Sequence, residues 1–316
     1  MDVARRNLLA VCLNPAWQKT LCFQAVRRGA VNRAESRREC GGGKGVNAAR
    51  ACRLAGGEVA VALFAGGHTG DLLLAELTAA GIGNLTVRTD VATRTCTSVV
   101  DLADGSVTEL IEPSGRVTQA QVEALRALLQ ATLPGMAAVA LCGTLPPGVP
   151  ESFYADLAGA ARRGGAMVLL DGMTGAGLAL AAGVDLLKLN LGEFLALTGA
   201  ATAAAAARLC RERYGVAWIG VTDGPRPAYL FGPGLQQRWS LPPLPGQGSS
   251  IGAGDCATGV LLQRLAGRDL ERETVTAAFA AALAAASASC LTDVPALYDP
   301  VQAERLRAGL AVAGIP

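Results

Sequence analysis

The stretch SSIGAGDCATG, residues 249–259, places three glycines and one acid, Asp255, at the start of a predicted helix. Backbone N–H groups at a helix start, together with the helix dipole, form a binding site for an anion. In this interpretation Gly252, Ala253 and Gly254 hold the anion while Asp255 accepts a proton, which suits phosphoryl transfer. The alternative is structural, because glycines also make tight turns and a first-turn acid is an ordinary helix cap. Taken alone, the stretch fits both interpretations equally.

A second glycine-rich stretch, ECGGGKGVNAAR at residues 39–50, also leads into a predicted helix. It lacks the Gly-x-x-x-x-Gly-Lys-Ser/Thr spacing, so it is not a Walker A loop. Its glycines are suited to bringing the backbone close to a ligand, although a simple strand-to-helix turn uses glycines as well.

A third stretch, LLKLNLGEF at residues 186–194, ends a predicted buried strand with Lys188, Asn190 and Glu193. Polar groups at the carboxyl end of a parallel strand lie where α/β folds bind ligands. Oxygen atoms of Asn190 and Glu193 suit Mg²⁺, directly or through water. The structural alternative is a capped strand-to-helix turn.

Six near-continuous apolar runs predict strands that are covered on both faces. They are LLAVCL, VAVALFA, AAVALCG, AMVLLDG, DLLKLN and VAWIGVT. Amphipathic segments predict helices that begin near Gly45 or cover residues 71–80, 119–131, 151–163, 201–213 and 255–266. This alternation predicts right-handed crossovers and a mostly parallel sheet. Residues 21–38 and 95–111 instead alternate polar and apolar positions, with a hairpin turn at ADG, and predict a small antiparallel sheet.

Composition argues against several classes of protein. The 316 residues are 51% apolar, with 28 basic and 26 acidic side chains, which gives no electrostatic basis for nucleic acid or an anionic membrane as partner. Nine scattered cysteines without a C-x-x-C pair, and a single histidine, argue against the usual zinc sites and indicate reduced thiols in a cytoplasm. No signal peptide is expected from the short apolar run near residue 8. The charge-free segment 274–292 is rich in Ala, Ser and Thr, which predicts a core helix and not a membrane span.

The motifs GGGKGVN, LCGTLPPGVP, KLNLGEF, VTDG and IGAGD, in this order, resemble the PfkB carbohydrate kinase family, which has the ribokinase-like fold. LNPAWQKT, AVNRA and TEL followed by PSG are similar to its 1-phosphofructokinase and tagatose-6-phosphate kinase branch. The resemblance covers essentially the whole chain, and the early GGKG with the late GAGD is its most specific pair. It implies a single three-layer α/β/α domain over residues 1–316, with a β lid formed by about residues 12–38 and 94–111.

The resemblance further implies an ATP-dependent kinase that uses Mg²⁺ and phosphorylates a hydroxyl of a sugar phosphate. Asp255 matches the catalytic base, and Gly252, Ala253 and Gly254 match the anion hole. The residues that match the sugar-phosphate site are Gln18, Gly42, Gly43, Lys44, Asn47, Arg94 and Thr144. Those that match the nucleotide region are Lys188, Asn190, Glu193, Thr222 and Gly224, with Asn190 and Glu193 as the implied metal ligands.

The sequence departs from this branch at Gln18, where an acid usually holds sugar hydroxyls, and at Leu189, where the family has proline. A glutamine keeps one acceptor and adds donors but loses the charge. One alternative is a kinase for an unphosphorylated sugar or nucleoside, against which Arg94 and Lys44 argue. The other is a non-catalytic sugar-phosphate-binding protein, against which Asp255, Asn190 and Glu193 argue. The resemblance also implies a homodimer that pairs through the β lid, and the scattered cysteines indicate a cytoplasmic protein.

Overall fold

The computed structural model of the chain describes residues 7–244 and 249–315, which form fourteen β-strands and ten α-helices. The strands are β1 (Asn7–Val11), β2 (Ala16–Phe23), β3 (Ser36–Gly42), β4 (Glu58–Gly66), β5 (Gly83–Thr89), β6 (Thr95–Asp101), β7 (Val107–Ile111), β8 (Ala138–Cys142), β9 (Met167–Asp171), β10 (Leu186–Asn190), β11 (Trp218–Asp223), β12 (Arg226–Gly232), β13 (Leu235–Ser240) and β14 (Ala311–Gly314). The helices are α1 (Lys44–Leu54), α2 (Gly67–Ala79), α3 (Gln119–Thr132), α4 (Phe153–Arg163), α5 (Ala176–Gly183), α6 (Leu191–Thr198), α7 (Ala203–Tyr214), α8 (Ala253–Leu265), α9 (Arg272–Ser289) and α10 (Pro300–Arg307).

Ten of the described strands form one large sheet in the order β14-β13-β12-β11-β10-β9-β8-β1-β4-β5. The pairings from β5 through β11 are parallel, and those from β11 out to β14 are antiparallel. The six predicted strands are β1, β4, β8, β9, β10 and β11, which are neighbours in the parallel part. Their sequences are continuous apolar runs because the sheet is covered on both faces there. The prediction of a mostly parallel central sheet is confirmed.

Helices cover both faces of this sheet and create two hydrophobic cores. Alternate residues of β1 point to opposite faces, so Leu8 and Ala10 enter one core while Leu9 and Val11 enter the other. The first core contains side chains of α1, α2, α8 and α9, and the second contains side chains of α3, α4, α5, α6 and α7. The predicted three-layer α/β/α arrangement is therefore confirmed.

Helices α1 and α8, which follow the two glycine-rich stretches, pack with their backbones in contact. A Cβ atom at Gly259 would lie only 2.0 Å from the carbonyl oxygen of Ala48, so any larger residue would force the helices apart. Helix α8 also packs against α9, which contains most of the charge-free segment and buries Val275 and Phe279. Across residues 7–244 and 249–315, no helix is long and apolar enough to span a membrane.

Four strands form a second sheet in the order β3-β2-β6-β7. The outer pairings β3–β2 and β6–β7 are antiparallel, as predicted. The central pairing β2–β6 is parallel, because a long crossover through β3, α1, β4, α2 and β5 joins these two strands. Strand β3 ends at Gly42 and α1 begins at Lys44, so this sheet continues directly into the glycine-rich turn. That residues 1–316 form a single domain, and that the small sheet acts as a lid, stay predictions.

Candidate active site

Three acids and two lysines gather at the carboxyl edge of the large sheet, where α1, α6 and α8 begin. Lys44 Nζ lies 2.9 Å from Asp171 Oδ1 and 2.9 Å from Glu193 Oε1. Lys188 Nζ lies 3.2 Å from the other carboxylate oxygen of Asp171. Asp255 completes the group, because the charges of Asp171, Lys44 and Lys188 all act on its carboxyl. Predicted residues from three separate sequence stretches are thereby brought together.

The start of α8 is shaped by glycines that no other residue could replace without a collision. Gly252 has a φ of 74°, in the left-handed region, and a Cβ there would lie 2.8 Å from Pro295 Cβ. A Cβ at Gly254 would lie 2.9 Å from Lys188 Nζ, so the glycine lets that ammonium group approach the helix. The Ala253 N–H donates to the Ser250 carbonyl at 3.2 Å, whereas the N–H groups of Gly254 and Asp255 have no acceptor within their own helix. The helix start therefore combines the positive end of a dipole with a lysine, which suits an anion.

Asp255 lies in this first turn and is half-buried. Its Oδ2 accepts a hydrogen bond from Asn47 Nδ2 at 2.8 Å. Loss of solvent raises the pKa of Asp255 and repulsion from Asp171 raises it further, while Lys44 and Lys188 oppose the shift, which leaves a pKa of about 6. Such a carboxylate is mostly ionised at neutral pH and is a stronger base than an ordinary aspartate, so it is suited to accept a proton.

The fully buried carboxylate of Asp171 holds the two lysines in place. Burial would raise the pKa of Asp171, but Lys188 and then Lys44 outweigh it and lower the pKa below its usual value. Thr258 Oγ1 adds a hydrogen bond to Oδ2 at 2.5 Å. For Lys44, burial would lower the pKa, but the nearby acids, Asp171 foremost, raise it overall. Both Asp171 and Lys44 therefore stay charged.

Asn190 and Glu193 form the capping box of α6, which is the structural alternative for these residues. Asn190 Oδ1 accepts from the Glu193 N–H at 2.8 Å, and Glu193 Oε2 accepts from the Asn190 N–H at 3.2 Å. Glu193 also binds Lys44, so the box is joined to the charged group. No cluster of three or more His, Cys, Asp or Glu side chains that could hold a metal ion occurs in the part of the chain that the structure describes.

The predicted nucleotide residues Thr222 and Gly224 lie beside this group and not within it. Thr222 is the register partner of Asn190 in the β10–β11 pairing, so both residues lie at the same edge of the sheet. Gly224 has a φ of 58° and forms the turn into β12, which an ion pair between Asp223 and Arg226 closes. Among the described residues, no hydrogen bond or ion pair joins Thr222 or Gly224 to the acids and lysines.

The turn between β3 and α1 also requires glycine. Gly43 has a φ of 101°, and a Cβ there would lie 3.1 Å from Cys12 Sγ. At Gly45 a Cβ would lie 2.5 Å from Cys12 Cβ. The tight turn lets Asn47 N donate to Gly43 O at 3.0 Å, and it sets Asn47 in the first turn of α1, opposite Asp255.

Gln18 in β2 is buried against the same turn, since a Cβ at Gly42 would lie 3.0 Å from Gln18 Cβ. Gln18 Nε2 donates to Ser98 Oγ at 2.7 Å, and Ser98 Oγ donates to Glu109 Oε1 at 3.1 Å. Because Ser98 has one proton and an ionised Glu109 can only accept, Ser98 must accept from Gln18. The Gln18 carboxamide is thereby oriented with its oxygen on the side of Gly42.

Arg94 and Thr144 belong to a second polar group, joined through Asn14. Asn14 Nδ2 donates to Thr144 Oγ1 at 2.9 Å and to Ser114 Oγ at 2.8 Å. Arg94 Nη2 donates to the Asn14 carbonyl at 3.3 Å. Arg94 Nε is buried and has no hydrogen-bond partner within the described residues. A buried cationic N–H without an acceptor is costly, so this group is suited to an anion.

Residues 12–297 match the pfkB family of carbohydrate kinases. The chain belongs to this family. It is 36% identical over 287 residues to the 1-phosphofructokinase of Rhodobacter capsulatus, with 88% of this chain and 90% of the relative covered. It is 30% identical over 260 residues to the ATP-dependent 6-phosphofructokinase isozyme 2 of Mycobacterium tuberculosis, with 80% and 76% covered. Phosphofructokinase-2 from Escherichia coli, solved in complex with substrates and products, superposes with a TM-score of 0.85 at 25% identity over 97% of this chain and 99% of that chain.

Membership of the pfkB family confirms the predicted ribokinase-like fold and the predicted enzyme class, a carbohydrate kinase that transfers a phosphoryl group to an alcohol. Two site residues of this pfkB kinase were not singled out from its sequence. Asp171 directly follows the apolar run MVLL, which is the same signal that selected Lys188 and Asn190. Asn14 lies within LNPAWQKT, but its bond to Thr144 spans 130 residues, and no local pattern indicates it.

Proposed function

We propose that this pfkB-family kinase transfers the γ-phosphoryl group of ATP to a hydroxyl of a sugar phosphate. The observation that carries the proposal is the placement of Asp255, a base with a pKa of about 6, within the helix start that is suited to an anion. A phosphoryl group held there would lie beside its proton acceptor. The structural interpretation of the GAGD stretch explains the tight turn, but it does not explain why Lys188 lies against Gly254 and why the charges of Lys44 and Lys188 both act on Asp255.

In the proposed reaction, the sugar hydroxyl gives its proton to Asp255 as its oxygen forms a bond to the γ-phosphorus. The bond between that phosphorus and the β,γ-bridging oxygen breaks, and ADP leaves with the bonding pair. Phosphoryl transfer is catalysed mainly by positioning and charge neutralisation. The first-turn N–H groups of α8 and the ammonium groups of Lys188 and Lys44 supply that neutralisation, while Asn47 orients Asp255.

Arg94 supports a phosphorylated acceptor. Its buried Nε has no partner among the residues that the structure describes, and a phosphate that the reaction does not transfer would supply an acceptor there. Asn14 and Thr144 stand beside it and can add neutral hydrogen bonds. The names of the relatives, 1-phosphofructokinase and 6-phosphofructokinase, support the same class of acceptor.

The donor set at Asn190 and Glu193 fits Mg²⁺ that is held largely by phosphate oxygens. Mg²⁺ is usually bound through one or two carboxylates together with substrate phosphates. One carboxylate and one amide oxygen stand here at the sheet edge, and Asn190 and Glu193 would hold the ion directly or through water. When bound, it would neutralise charge on the phosphates. Lys44 Nζ already donates to Oε1 of that carboxylate at 2.9 Å.

The small sheet is proposed to close over the sugar and to pair two copies of the chain. Closure is supported by Gln18, which lies in β2 and packs against the glycine-rich turn. Pairing is supported by exposed apolar side chains on β7, where Leu110 and Ile111 are 57% and 56% exposed. A cytoplasmic location is proposed as well, and nine free cysteines support it because oxidising compartments favour disulfides.

A coupled assay of ADP release tests the proposed reaction. The panel would contain fructose 1-phosphate, fructose 6-phosphate, tagatose 6-phosphate, free fructose, ribose, a nucleoside and a control without acceptor. We expect turnover that depends on one of the sugar phosphates. Faster turnover of a phosphate-free acceptor would contradict the proposed role of Arg94. Binding of a sugar phosphate without any ADP release would show a binding protein and not a kinase.

A further inference from the structure

Arg50 is a buried cation in the middle of α1, and the proposed mechanism does not use it. Its side chain is only 10% exposed, and its two terminal nitrogens make four hydrogen bonds. Nη1 donates to Asn47 Oδ1 at 3.0 Å and to the Pro295 carbonyl at 2.8 Å. Nη2 donates to the Gly41 carbonyl at 2.7 Å and to Glu76 Oε1 at 2.8 Å.

The four acceptors range from Asn47, three residues from Arg50 on the same helix, to Pro295, which is 245 residues away in sequence. Asn47 holds the carboxylate of Asp255. Pro295 packs against Gly252, since a Cβ at Gly252 would lie 2.8 Å from Pro295 Cβ. Gly41 leads into the glycine-rich turn before α1. One guanidinium group therefore contacts Asn47, which binds Asp255, and Pro295, which packs against the start of α8. It also contacts Gly41, which precedes the glycine-rich turn.

Glu76 on the neighbouring helix α2 holds this guanidinium group with its carboxylate. Its Oε1 accepts from Arg50 Nη2 at 2.8 Å, and its Oε2 accepts from the Gly41 N–H at 2.5 Å. The carboxylate thus binds the N–H of Gly41 while Arg50 binds the carbonyl of the same residue. Glu76 is about one-third exposed, so it gives the buried cation a counter-charge at the edge of the core.

The Arg50 contact also decides how the Asn47 amide is oriented. A guanidinium can only donate, so the amide oxygen of Asn47 must face Arg50. The amide nitrogen is then directed to Asp255 Oδ2, which an ionised carboxylate requires. The Asn47 amide is therefore fixed on its oxygen by Arg50 and on its nitrogen by Asp255.

We propose that Arg50, held by Glu76, is a positioning residue that sets Asn47, and through it Asp255, against the start of α8. The inference rests on the proposed kinase reaction, in which Asp255 is the base. Arg50 itself touches neither reacting atoms nor substrate. A lysine at this position keeps the charge, but its single nitrogen cannot reproduce a planar fork that serves four acceptors.

The test compares Arg50→Lys with Arg53→Lys, which makes the same change on an exposed residue of the same helix. We expect Arg50→Lys to lower kcat about 10- to 100-fold, because small displacements of catalytic groups have effects of this size. KM for ATP should stay within about twofold, since Arg50 contacts no residue of the proposed nucleotide region. Arg53→Lys should leave kcat and the KM values for ATP and for the sugar phosphate unchanged. Equal kcat values for Arg50→Lys and wild type would overturn the inference.

Glu76→Gln provides a second variant in case Arg50→Lys does not fold. Arg50 Nη2 and the Gly41 N–H now donate to different oxygens of Glu76, so the NH2 group of a glutamine would face a donor at one of these two positions. We expect a fall in kcat with an unchanged KM for ATP. Asp71→Asn is the matched control, because it removes an exposed acid from the same helix. If Glu76→Gln and Asp71→Asn both behave as wild type, Glu76 has no positioning role.

A double variant separates positioning from general loss of structure. If Arg50 acts through Asp255, Arg50→Lys should cost little further rate once Asp255→Asn has removed the base. A loss of the same factor in both backgrounds would show an independent structural effect and contradict the inference. The failure of the inference can be told from failure of the proposed function. An Asp255→Asn variant with wild-type activity removes Asp255 as the base, whereas an inactive Asp255→Asn with a fully active Arg50→Lys removes only Arg50.

Discussion

Replacing Asp255 by Asn removes the proposed proton acceptor while nearly keeping its shape. We expect kcat to fall by roughly two to four orders of magnitude, which is the usual contribution of a positioned general base. At 1.36 kcal/mol for each factor of ten, this loss corresponds to roughly 3–5 kcal/mol of activation free energy. Affinities for ATP and the sugar phosphate should change only a few-fold, because the first-turn N–H groups, Lys188 and Arg94 are untouched.

The same substitution should make the fold more stable. Asp255 has a pKa of about 6 in the folded chain against an ordinary value of 3.8, so above pH 6 the folded protein keeps a carboxylate ionised at a cost of roughly 2–3 kcal/mol. Asparagine carries no charge, and its oxygen can still accept from Asn47 Nδ2. The gain should be fully present above pH 6 and should shrink as the pH falls towards 4, since Asp255 is then protonated in the folded state.

Two measurements check this pair of effects. A coupled ADP-release assay gives kcat, and thermal unfolding at about pH 5 and pH 8 gives stability for wild type and variant. The structural interpretation of the GAGD stretch leads to a different result. Asn caps a helix about as well as Asp, so the variant would then keep its activity. An active variant would refute the role of Asp255 as base, and a variant that is less stable at pH 8 would refute the electrostatic argument.

Four further outcomes follow from the site. Arg94→Ala should raise KM for the sugar phosphate far more than it lowers kcat, because a contact to a spectator phosphate is made in both ground and transition states; equal losses in both parameters would contradict this. Residues 21–38 and 95–111 should gain protection from hydrogen exchange when sugar phosphate binds, and unchanged exchange there would argue against a lid. Gln18→Asp should improve turnover of fructose 1-phosphate or tagatose 6-phosphate relative to the native substrate; an unchanged ranking of a sugar panel would exclude Gln18 from the sugar site. Wild-type kcat should fall as the pH drops through about 6, because only ionised Asp255 accepts a proton, and a flat profile across that value would contradict the assignment.

The sequence predicts the strands best where both faces of a strand are buried, because burial then determines the composition of the strand itself. Strands β1 and β4 are apolar along most of their length because helices cover both of their faces, so their sequences stand out. Strand β13, with the sequence LQQRWS, alternates buried and exposed positions near the edge of the sheet and contains no apolar run. Strand β14 exists only through its pairing with β13, more than 70 residues earlier in the chain. Neither strand was predicted, because their stability comes from cross-strand pairing and not from their own composition.

Local sequence patterns could not predict the contacts within the site either, because these contacts join residues that are far apart in the chain. Asn47 and Asp255 are 208 residues apart, and Lys44 and Asp171 are 127 residues apart. The GAGD stretch itself indicated Asp255, and resemblance to a family then selected Lys44 and Asn47. Their distances follow from the close packing of α1 on α8 at Gly259, which the sequence shows only as one more glycine in a helix.

Asp171 shows why charges at this edge must be considered together. Its two oxygens hold Lys44 and Lys188, so both cations stay beside the start of α8, where an anion would be neutralised. The same negative charge raises the pKa of Asp255 and makes it a stronger base. A neutral residue at position 171 would leave both lysines less well held and Asp255 a weaker base. In the proposed reaction, one buried acid would therefore assist both the neutralisation of phosphate and the removal of the proton.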